Sequence, residues 1–191
     1  MSDFPEPKIY VADLAAYNAG HLRGEWLCLS SYQNAEHLRH AISSLLETWD
    51  EEPLSGVCGP IEEFRIDDYE GIPSALIPRH GGIDTENVMA YVRLCDLEDT
   101  GAAKAFIEAE FHRETPPEEW PRAFQERYLG TFSSLEEWAR RRLESTGFFS
   151  GVPEAMARYF DFEAYARDAL LGGDVVLVDS GIDTKHVFLG H

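Results

Sequence analysis

The sequence KIYVADLAAYNAGHLRGEWLCL, residues 8–29, contains the clearest indication of the fold class. Apolar, aromatic and β-branched residues dominate 8–14 and again 26–29, which predicts two strands. The segment 18–20, Asn-Ala-Gly, is a turn signal between them. The chain therefore opens with strands, and any core near its N-terminus contains a sheet.

A helix and a further strand complete this first part. Between Asn34 and Trp49 the apolar residues recur at helical spacing, with Asn34 as the predicted N-cap. A Pro- and Gly-rich stretch, 53–60, follows, and 64–69 predicts a short strand. Strands around one helix predict a small α+β domain over residues 1–80.

After residues 81–82, Gly-Gly, the pattern changes to helices. Thr85 is the predicted cap of a helix whose buried side chains are Val88, Tyr91, Val92 and Cys95. A second helix is predicted over 101–112, with an apolar stripe of Ala103, Phe106, Ile107 and Phe111. Thr115, followed by Pro116-Pro117-Glu118, predicts the start of a third helix. We expect a helical middle domain over residues 81–120.

The remaining segment, 121–191, predicts a second α+β domain. Trp120, Phe124 and Tyr128 at spacing four predict an apolar helix face, and Ser134 with Glu137 forms a capping box. Pro153 and Asp161 are predicted to start two more helices, the second ending at 171–173, before a hairpin of 174–178 with 186–189. The predicted fold class is α+β, with three small domains, mixed ends and a helical middle.

Charge excludes two classes of partner. The 191 residues contain 35 Asp and Glu against 16 Lys and Arg, a net charge of −19. Nucleic-acid and anionic-membrane binding both need Lys and Arg, so neither partner is expected.

No apolar run approaches the roughly 18–20 residues of a membrane span, and the N-terminus lacks a signal-peptide pattern. Cys28, Cys58 and Cys95 form no CxxC pair, which favours reduced thiols in a soluble cytoplasmic protein.

The negative charge is unevenly distributed along the sequence. Residues 1–80 have a net charge of −9, residues 81–120 have −7, and residues 121–191 have only −3. This asymmetry predicts an acidic surface in the first two parts and an assembly surface in the last.

Motifs of enzymatic chemistry are absent from the sequence, which has no GxSxG, GxxxxGK[ST], GxGxxG or HExxH. Residues 171–174, Leu-Gly-Gly-Asp, lie between a helix and a strand, the reverse of a phosphate-binding loop. His37 and His40 are three residues apart, but no further metal ligand stands at motif spacing. The arginines at 140–142 have acids at i±3 and i±4, which predicts ion pairs on one helix. We expect no catalytic residue, no metal and no cofactor.

A dense acidic surface has three interpretations: solubility, adaptation to high salt, or imitation of DNA. Duplex DNA carries one charge per about 1.7 Å, so 35 carboxylates correspond to roughly 60 Å of duplex. A compact chain of this length is only about 40 Å across, and full imitation therefore requires an elongated molecule or an assembly.

The candidate DNA-mimic carboxylates fall into two groups. The first is predicted to form rows at i, i+3 and i+4 on helices, and comprises Glu98, Glu108, Glu110, Glu114, Glu118 and Glu119. The second group comprises Glu25, Asp67, Asp68 and Glu70, which lack the alternating pattern of a calcium loop.

Several phrases of the sequence resemble the ArdA-type antirestriction proteins. The segment 9–20 followed by 24–26, Gly-Glu-Trp, resembles their opening, and 66–71, IDDYEG, resembles their next phrase. There Asp67 stands where the family usually has His. The C-terminal phrases are YFDFEAYARD, 159–168, and LGGD, 171–174. These phrases occur in the family's order and extend over nearly the whole chain.

This resemblance implies a DNA mimic that occupies the DNA-binding groove of type I restriction–modification enzymes. Such proteins are carried by plasmids, transposons and phages, and act in the bacterial cytoplasm. The resemblance also implies three small domains in an elongated, acidic shape, and a homodimer formed through the C-terminal domain. Tyr159, Phe160 and Phe162 are the expected interface residues. Burial in the core would equally suit Phe162 and Tyr165.

Other functions stay open from the sequence. The chain could be an enzyme of unknown chemistry, or a DNA mimic directed at another DNA-binding protein. It could also be an acidic protein-interaction module whose charge serves solubility.

Overall fold

The computed structural model describes residues 5–52, 54 and 63–190. Strands β1–β6 are Lys8–Asp13, Gly24–Cys28, Phe64–Glu70, Tyr128–Phe132, Val175–Gly181 and Thr184–Leu189. Helices α1–α8 are Leu14–Asn18, Ala35–Glu51, Thr85–Leu97, Thr100–Glu108, Trp120–Arg127, Leu135–Ser145, Glu154–Ala157 and Phe162–Gly172. The predicted Pro- and Gly-rich stretch with Cys58 lies, apart from Leu54, outside the described residues. The mixed α/β character of the fold is confirmed.

The chain divides into two compact units. The N-terminal unit comprises residues 1–104 and 116–120, and the C-terminal unit comprises 105–115 and 121–191. Each unit contains one three-stranded antiparallel sheet, in the order β2-β1-β3 and β4-β6-β5 respectively. The division into three domains at residues 80 and 120 stays a prediction.

The sheet of the N-terminal unit confirms the strands expected from its first residues. Ile9 and Val11 in β1 are fully buried, and Leu27 and Ile66 from the flanking strands are buried as well. Strand β1 ends one residue earlier than expected because Leu14 begins helix α1. That helix was not predicted, because its five residues are too few to show a helical period.

A buried ion pair stabilises the connection between β1 and β2. Asp13 is completely buried, and one of its carboxylate oxygens accepts a hydrogen bond from the Ala16 N–H at 2.9 Å, which caps α1. Its other oxygen accepts from Arg23 Nε at 2.8 Å. Arg23 Nη1 also donates to the carbonyl of Glu52 at 2.7 Å, at the end of α2. One guanidinium therefore links the β1–β2 connection to helix α2.

Helix α2 begins as predicted, whereas the cap of α3 was assigned to the wrong residue. The His37 N–H donates to Asn34 Oδ1 at 2.9 Å, which confirms Asn34 as the N-cap of α2. Helix α3 is capped by Asp84 rather than Thr85, because Asp84 Oδ1 accepts from two backbone N–H groups at 3.1 Å. Thr85 is buried instead, and its hydroxyl accepts from Arg39 Nη1 at 2.9 Å. Cys95, expected to be buried, is half-buried.

The middle of the chain is less helical than its sequence predicts. Helix α4 ends at Glu108 rather than at residue 112, because Glu110 adopts a left-handed conformation with φ 63°. Thr115 is not a helix N-cap. The N-cap of the following 3-10 turn, Pro117–Glu119, is Pro116, and helix α5 begins only at Trp120. Prolines fix φ but donate no backbone hydrogen bond, so they suit this short turn.

The central strand of the C-terminal sheet, β6, is buried on both faces. Val187 packs on one face with residues of α6, α8 and the neighbouring strands: Phe132, Trp138, Ala139, Ala166, Ala169 and Val175. On the other face, Phe188 lies among the rings of Phe106, Phe111, Phe124 and Tyr128, with centroids 5.1–6.4 Å from its own. The hairpin of β5 and β6 was predicted. Strand β4 was not, since Tyr128 continues the helical spacing of Trp120 and Phe124.

The ends of the C-terminal helices agree with their sequence signals. The Glu137 N–H donates to Ser134 Oγ at 3.1 Å at the start of α6, and the Ala164 N–H donates to Asp161 Oδ1 at 2.8 Å at the start of α8. Helix α8 ends at Gly172, and its C-cap Gly173 has a φ of 78°, the left-handed conformation that glycine adopts without strain.

Candidate functional site

The ten candidate carboxylates are accessible, and they are divided between the units. All are exposed except Glu98, which is half-buried. The N-terminal unit contains Glu25, Asp67, Asp68, Glu70, Glu98, Glu118 and Glu119, and the C-terminal unit contains Glu108, Glu110 and Glu114. The first predicted group is therefore not confined to one compact unit.

The predicted helical rows of carboxylates are not formed. Glu108 is the last residue of α4, and Glu110 has left-handed backbone geometry. Glu114 follows a 3-10 turn, Phe111–Arg113, and Glu118 and Glu119 belong to another. Spacing along one helix thus does not position these side chains, because α4 ends at Glu108 and two 3-10 turns follow before α5 begins at Trp120.

A β-bulge presents two consecutive carboxylates to solvent in strand β3. The register changes from Tyr10–Asp68 to Val11–Ile66, so Asp67 has no partner residue in β1. In a regular strand Asp67 and Asp68 would point to opposite faces, but both are exposed here. Because of the bulge, a carboxylate that would face the core in a regular strand lies at the surface instead.

Cations partly neutralise the candidate set. Lys8 Nζ lies 3.0 Å from Glu70 Oε2, Arg65 pairs with Asp67, and Arg113 Nη2 lies 3.1 Å from Glu110 Oε1. Within residues 5–52, 54 and 63–190, four candidates have no ion pair and no hydrogen bond to their carboxylates: Glu25, Glu98, Glu118 and Glu119. These unpaired carboxylates retain their full charge toward an approaching molecule.

Two aromatic residues that were not predicted as site residues share the solvated face of the N-terminal sheet with the acids. Tyr10 lies opposite both Trp26 and Asp68, and its ring is 5.5 Å from that of Trp26. The Trp26 side chain is 38% exposed, and Lys8 Nζ lies 4.6 Å from its ring centroid. The alternation of buried Ile9 and Val11 with Tyr10 was the available signal for this face.

The three expected dimer-interface residues differ in exposure. Tyr159 is 85% exposed, Phe160 is half-buried and Phe162 is buried, so the core alternative describes Phe162. Three further apolar side chains nearby in sequence, which were not predicted as interface residues, are exposed: Phe148, Val152 and Met156. Their spacing of four residues was the signal that could have identified them.

A comparison with protein families decides the identity of the chain. A model described as the antirestriction protein ArdA matches residues 9–184, nearly the whole length. The chain belongs to the ArdA antirestriction family. This family is not a known enzyme family. A comparison with curated proteins finds no match.

This ArdA protein also contains histidine and cysteine side chains that could take part in other chemistry. His37 and His40 are exposed on α2, and no three metal-ligating side chains come together in the described part of the chain. Burial raises the pKa of the Cys95 thiol to about 11, which keeps it protonated near neutral pH. Among the described helices, none has the length and apolar character to span a membrane. Leu171 and Gly172 are the last residues of α8, and Gly173 and Asp174 connect that helix to β5, as expected for a plain helix-to-strand turn.

Two acids of helix α6 in ArdA, Glu136 and Glu137, are engaged within the protein. Arg140 pairs with Glu136 at 3.1 Å and Arg141 pairs with Glu137 at 2.5 Å, which confirms the expected i, i+4 ion pairs for these two acids but, among the described residues, not for Glu144. The Ser133 N–H and hydroxyl donate to Glu137 Oε2 at 2.8 and 2.7 Å, and these bonds lower the pKa of Glu137. Carboxylates engaged in this way stabilise the fold and contribute less to a long-range field.

Proposed function

We propose that this ArdA-family protein mimics B-form DNA and occupies the DNA-binding groove of a type I restriction–modification enzyme in the bacterial cytoplasm. Occupying the groove would inhibit restriction, and modification as well where both activities share it. The observation that supports this most directly is the charge of the N-terminal unit, which has 21 carboxylates against seven Lys and Arg.

Electrostatics explains how such a surface would compete with DNA. A groove built for phosphates contains Lys and Arg, and it attracts a carboxylate field at a steered rate. Binding then releases counterions, as DNA binding does, so the affinity falls as salt rises. The unpaired Glu25, Glu118 and Glu119, together with Asp68, are the carboxylates we assign to this field.

We further propose that the protein self-associates through exposed apolar side chains of the C-terminal unit. These are Phe148, Val152, Met156 and Tyr159, all more than 40% exposed. Exposed apolar side chains of this size mark interaction surfaces when they occur together. Phe160 and Phe162, also expected at the interface, are less accessible. Self-association would lengthen the acidic surface beyond that of one chain.

A competition titration tests the proposed mechanism. Labelled target DNA is bound to a type I methyltransferase core, and the protein is added at two salt concentrations. We expect displacement near stoichiometry, weaker at the higher salt. Absence of displacement by folded protein in large excess would contradict the mechanism and would favour another DNA-binding target or an interaction module.

A cluster variant tests the carboxylates selected from the sequence. Glu108, Glu110, Glu114, Glu118 and Glu119 are changed together to Gln. Removing five charges is expected to weaken displacement at least about tenfold, because each exposed pair contributes little alone but several act together. Full potency at physiological ionic strength would remove this group from the mimic surface.

A further inference from the structure

A groove in the C-terminal unit combines aromatic rings with carboxylates. It has a volume of about 650 Å³ and lies between α6, α7 and the start of α8. Three phenylalanines line it, Phe149, Phe160 and Phe162, with ring centroids 5.0–5.8 Å apart. The size is in the range of known ligand sites, and it accommodates a side chain together with its neighbouring backbone.

The carboxylates of the groove are only partly engaged by the protein itself. Glu136 pairs with Arg140, and Asp161 caps helix α8. Glu144, Glu154 and Glu163 also line the groove, and their carboxylates have neither an ion pair nor a hydrogen bond to any described residue. Glu144 lies in the last turn of α6, where the helix dipole disfavours a negative charge. No described residue offsets this unfavourable interaction between the Glu144 carboxylate and the dipole of α6.

One guanidinium already shows how the groove holds a cation. The guanidinium carbon of Arg140 is 4.1 Å from the ring centroid of Phe162, and its Nη2 is 3.1 Å from Glu136 Oε1. The cation is therefore stabilised by a ring and a carboxylate at once. Among the described residues, no cation lies over the ring of Phe149 or Phe160, although carboxylates line the groove beside them. Arg158 is the second arginine of the groove, and it is exposed.

We infer that this groove binds an arginine side chain presented by a basic segment of a partner protein. A guanidinium is planar and weakly hydrated, so it stacks on rings and forks onto carboxylates better than an ammonium does. A second copy of this chain is a poor source of a basic segment, because two of the three arginines in its run at 140–142 are already paired with Glu136 and Glu137. The inference goes beyond DNA mimicry, since imitation of phosphates requires carboxylates but not aromatic rings.

Peptide binding tests the inference directly. A dye-labelled Gly-Arg-Gly-Arg-Gly-Arg peptide and its lysine counterpart are titrated with the full chain, and binding is followed by fluorescence anisotropy. We expect the arginine peptide to bind at least about fivefold more tightly, because only guanidinium adds stacking to the shared charge. Phe160→Leu is expected to remove this preference while leaving the affinity for the lysine peptide unchanged. Equal binding of the two peptides to the unaltered protein would overturn the inference.

Charge-matched variants separate the groove from the general acidic field. Glu144→Gln with Glu154→Gln is expected to raise the dissociation constant of the arginine peptide about tenfold. The control, Asp168→Asn with Asp183→Asn, removes two exposed carboxylates of the same unit outside the groove, and its effect should stay below about twofold. Equal losses in both variants would show that only net charge matters and would overturn the inference.

Two parallel measurements distinguish failure of this inference from a role of the groove in self-association and from failure of the proposed function. Sedimentation velocity on the Glu144→Gln, Glu154→Gln variant should show unchanged self-association, and loss of self-association with retained peptide binding would assign the groove to a second copy instead. The displacement assay tests DNA mimicry separately. A protein that binds the arginine peptide selectively but fails to displace DNA would overturn the proposed function and leave this inference standing.

Discussion

The two compact units divide charge and apolar surface in opposite ways. The N-terminal unit has 21 carboxylates against seven bases, a net charge of −14, whereas the C-terminal unit has 14 against nine, a net charge of −5. Of the large apolar side chains exposed in the described residues, four belong to the N-terminal unit and eight to the C-terminal unit. We therefore expect the N-terminal unit to supply long-range electrostatic attraction and the C-terminal unit to supply short-range apolar contacts.

The two sheets show the same contrast. The N-terminal sheet leaves one face accessible, with Tyr10, Trp26 and Asp68 on it. In the C-terminal sheet the central strand β6 is covered on both faces, by Val187 on one and Phe188 on the other. A sheet with a solvated face can present recognition residues on regular strands, whereas a covered sheet must present them on its helices and connections. The groove lies there, as do the exposed apolar side chains of Phe148, Val152, Met156 and Tyr159.

The largest effect is expected from breaking the buried ion pair of the N-terminal unit. Asp13→Ala leaves Arg23 without its carboxylate and α1 without its cap, which should cost about 3 kcal/mol of unfolding free energy. Hydrogen exchange should show lost protection in β1–β3, with β4–β6 unchanged if the units unfold separately. Asp68→Ala, on the solvated face of the same sheet, is the control. Equal loss of protection in both sheets would show that the units unfold as one.

Neutralising three carboxylates in one unit or in the other tests whether the location of the charge matters for DNA displacement. Glu25→Gln, Asp68→Asn and Glu119→Gln together should weaken displacement of DNA from the methyltransferase about thirtyfold, with the loss shrinking as salt rises. The matched C-terminal control is Asp168→Asn, Asp174→Asn and Asp183→Asn, expected to change displacement by less than about threefold. Equal effects would show that total charge decides binding, not its location.

Removing exposed apolar side chains tests the role of the C-terminal unit. Met156→Ser with Tyr159→Ser should weaken self-association about tenfold, because both side chains are more than 60% exposed and would be buried on association. Sedimentation velocity over a concentration series measures the change. Leu22→Ser with Leu97→Ser removes exposed apolar side chains of the N-terminal unit and should leave self-association unaltered. Reversed outcomes would place the interface in the N-terminal unit.

The smallest effect concerns the pH dependence of stability. The folded-state pKa of Glu137 is lowered from 4.5 by its bonds to Ser133, so this carboxylate stabilises the fold above that pH. The contribution is lost as pH falls through the folded pKa. Urea unfolding below pH 4.5 should therefore show a shallower decline for Glu137→Gln than for the unaltered protein. Glu136→Gln, which retains the bonds to Ser133, should keep the original slope, and a matching slope for both variants would contradict this role.

Local signals in the sequence predicted much of the fold. Alternating and β-branched residues identified β1, β2, β3 and the β5–β6 hairpin, and side-chain caps at Asn34, Ser134 and Asp161 identified helix starts. These signals work because a cap or a strand pattern depends on neighbouring residues only. They fail where two local signals compete, as at Thr85 beside Asp84, or where a helical spacing runs into a strand, as at Tyr128.

The family, the charge and its uneven distribution follow from the amino-acid sequence, because they depend on residue identity and order alone. Which carboxylates reach solvent unpaired depends instead on how the chain folds. The bulge at Asp67, the left-handed Glu110 and the partners Lys8 and Arg65 each result from contacts between distant segments or from the way the backbone turns. The aromatic groove has the same origin, since it forms only when α6, α7 and α8 pack together. Charge is a property of the chain, whereas a recognition surface is a property of its packing.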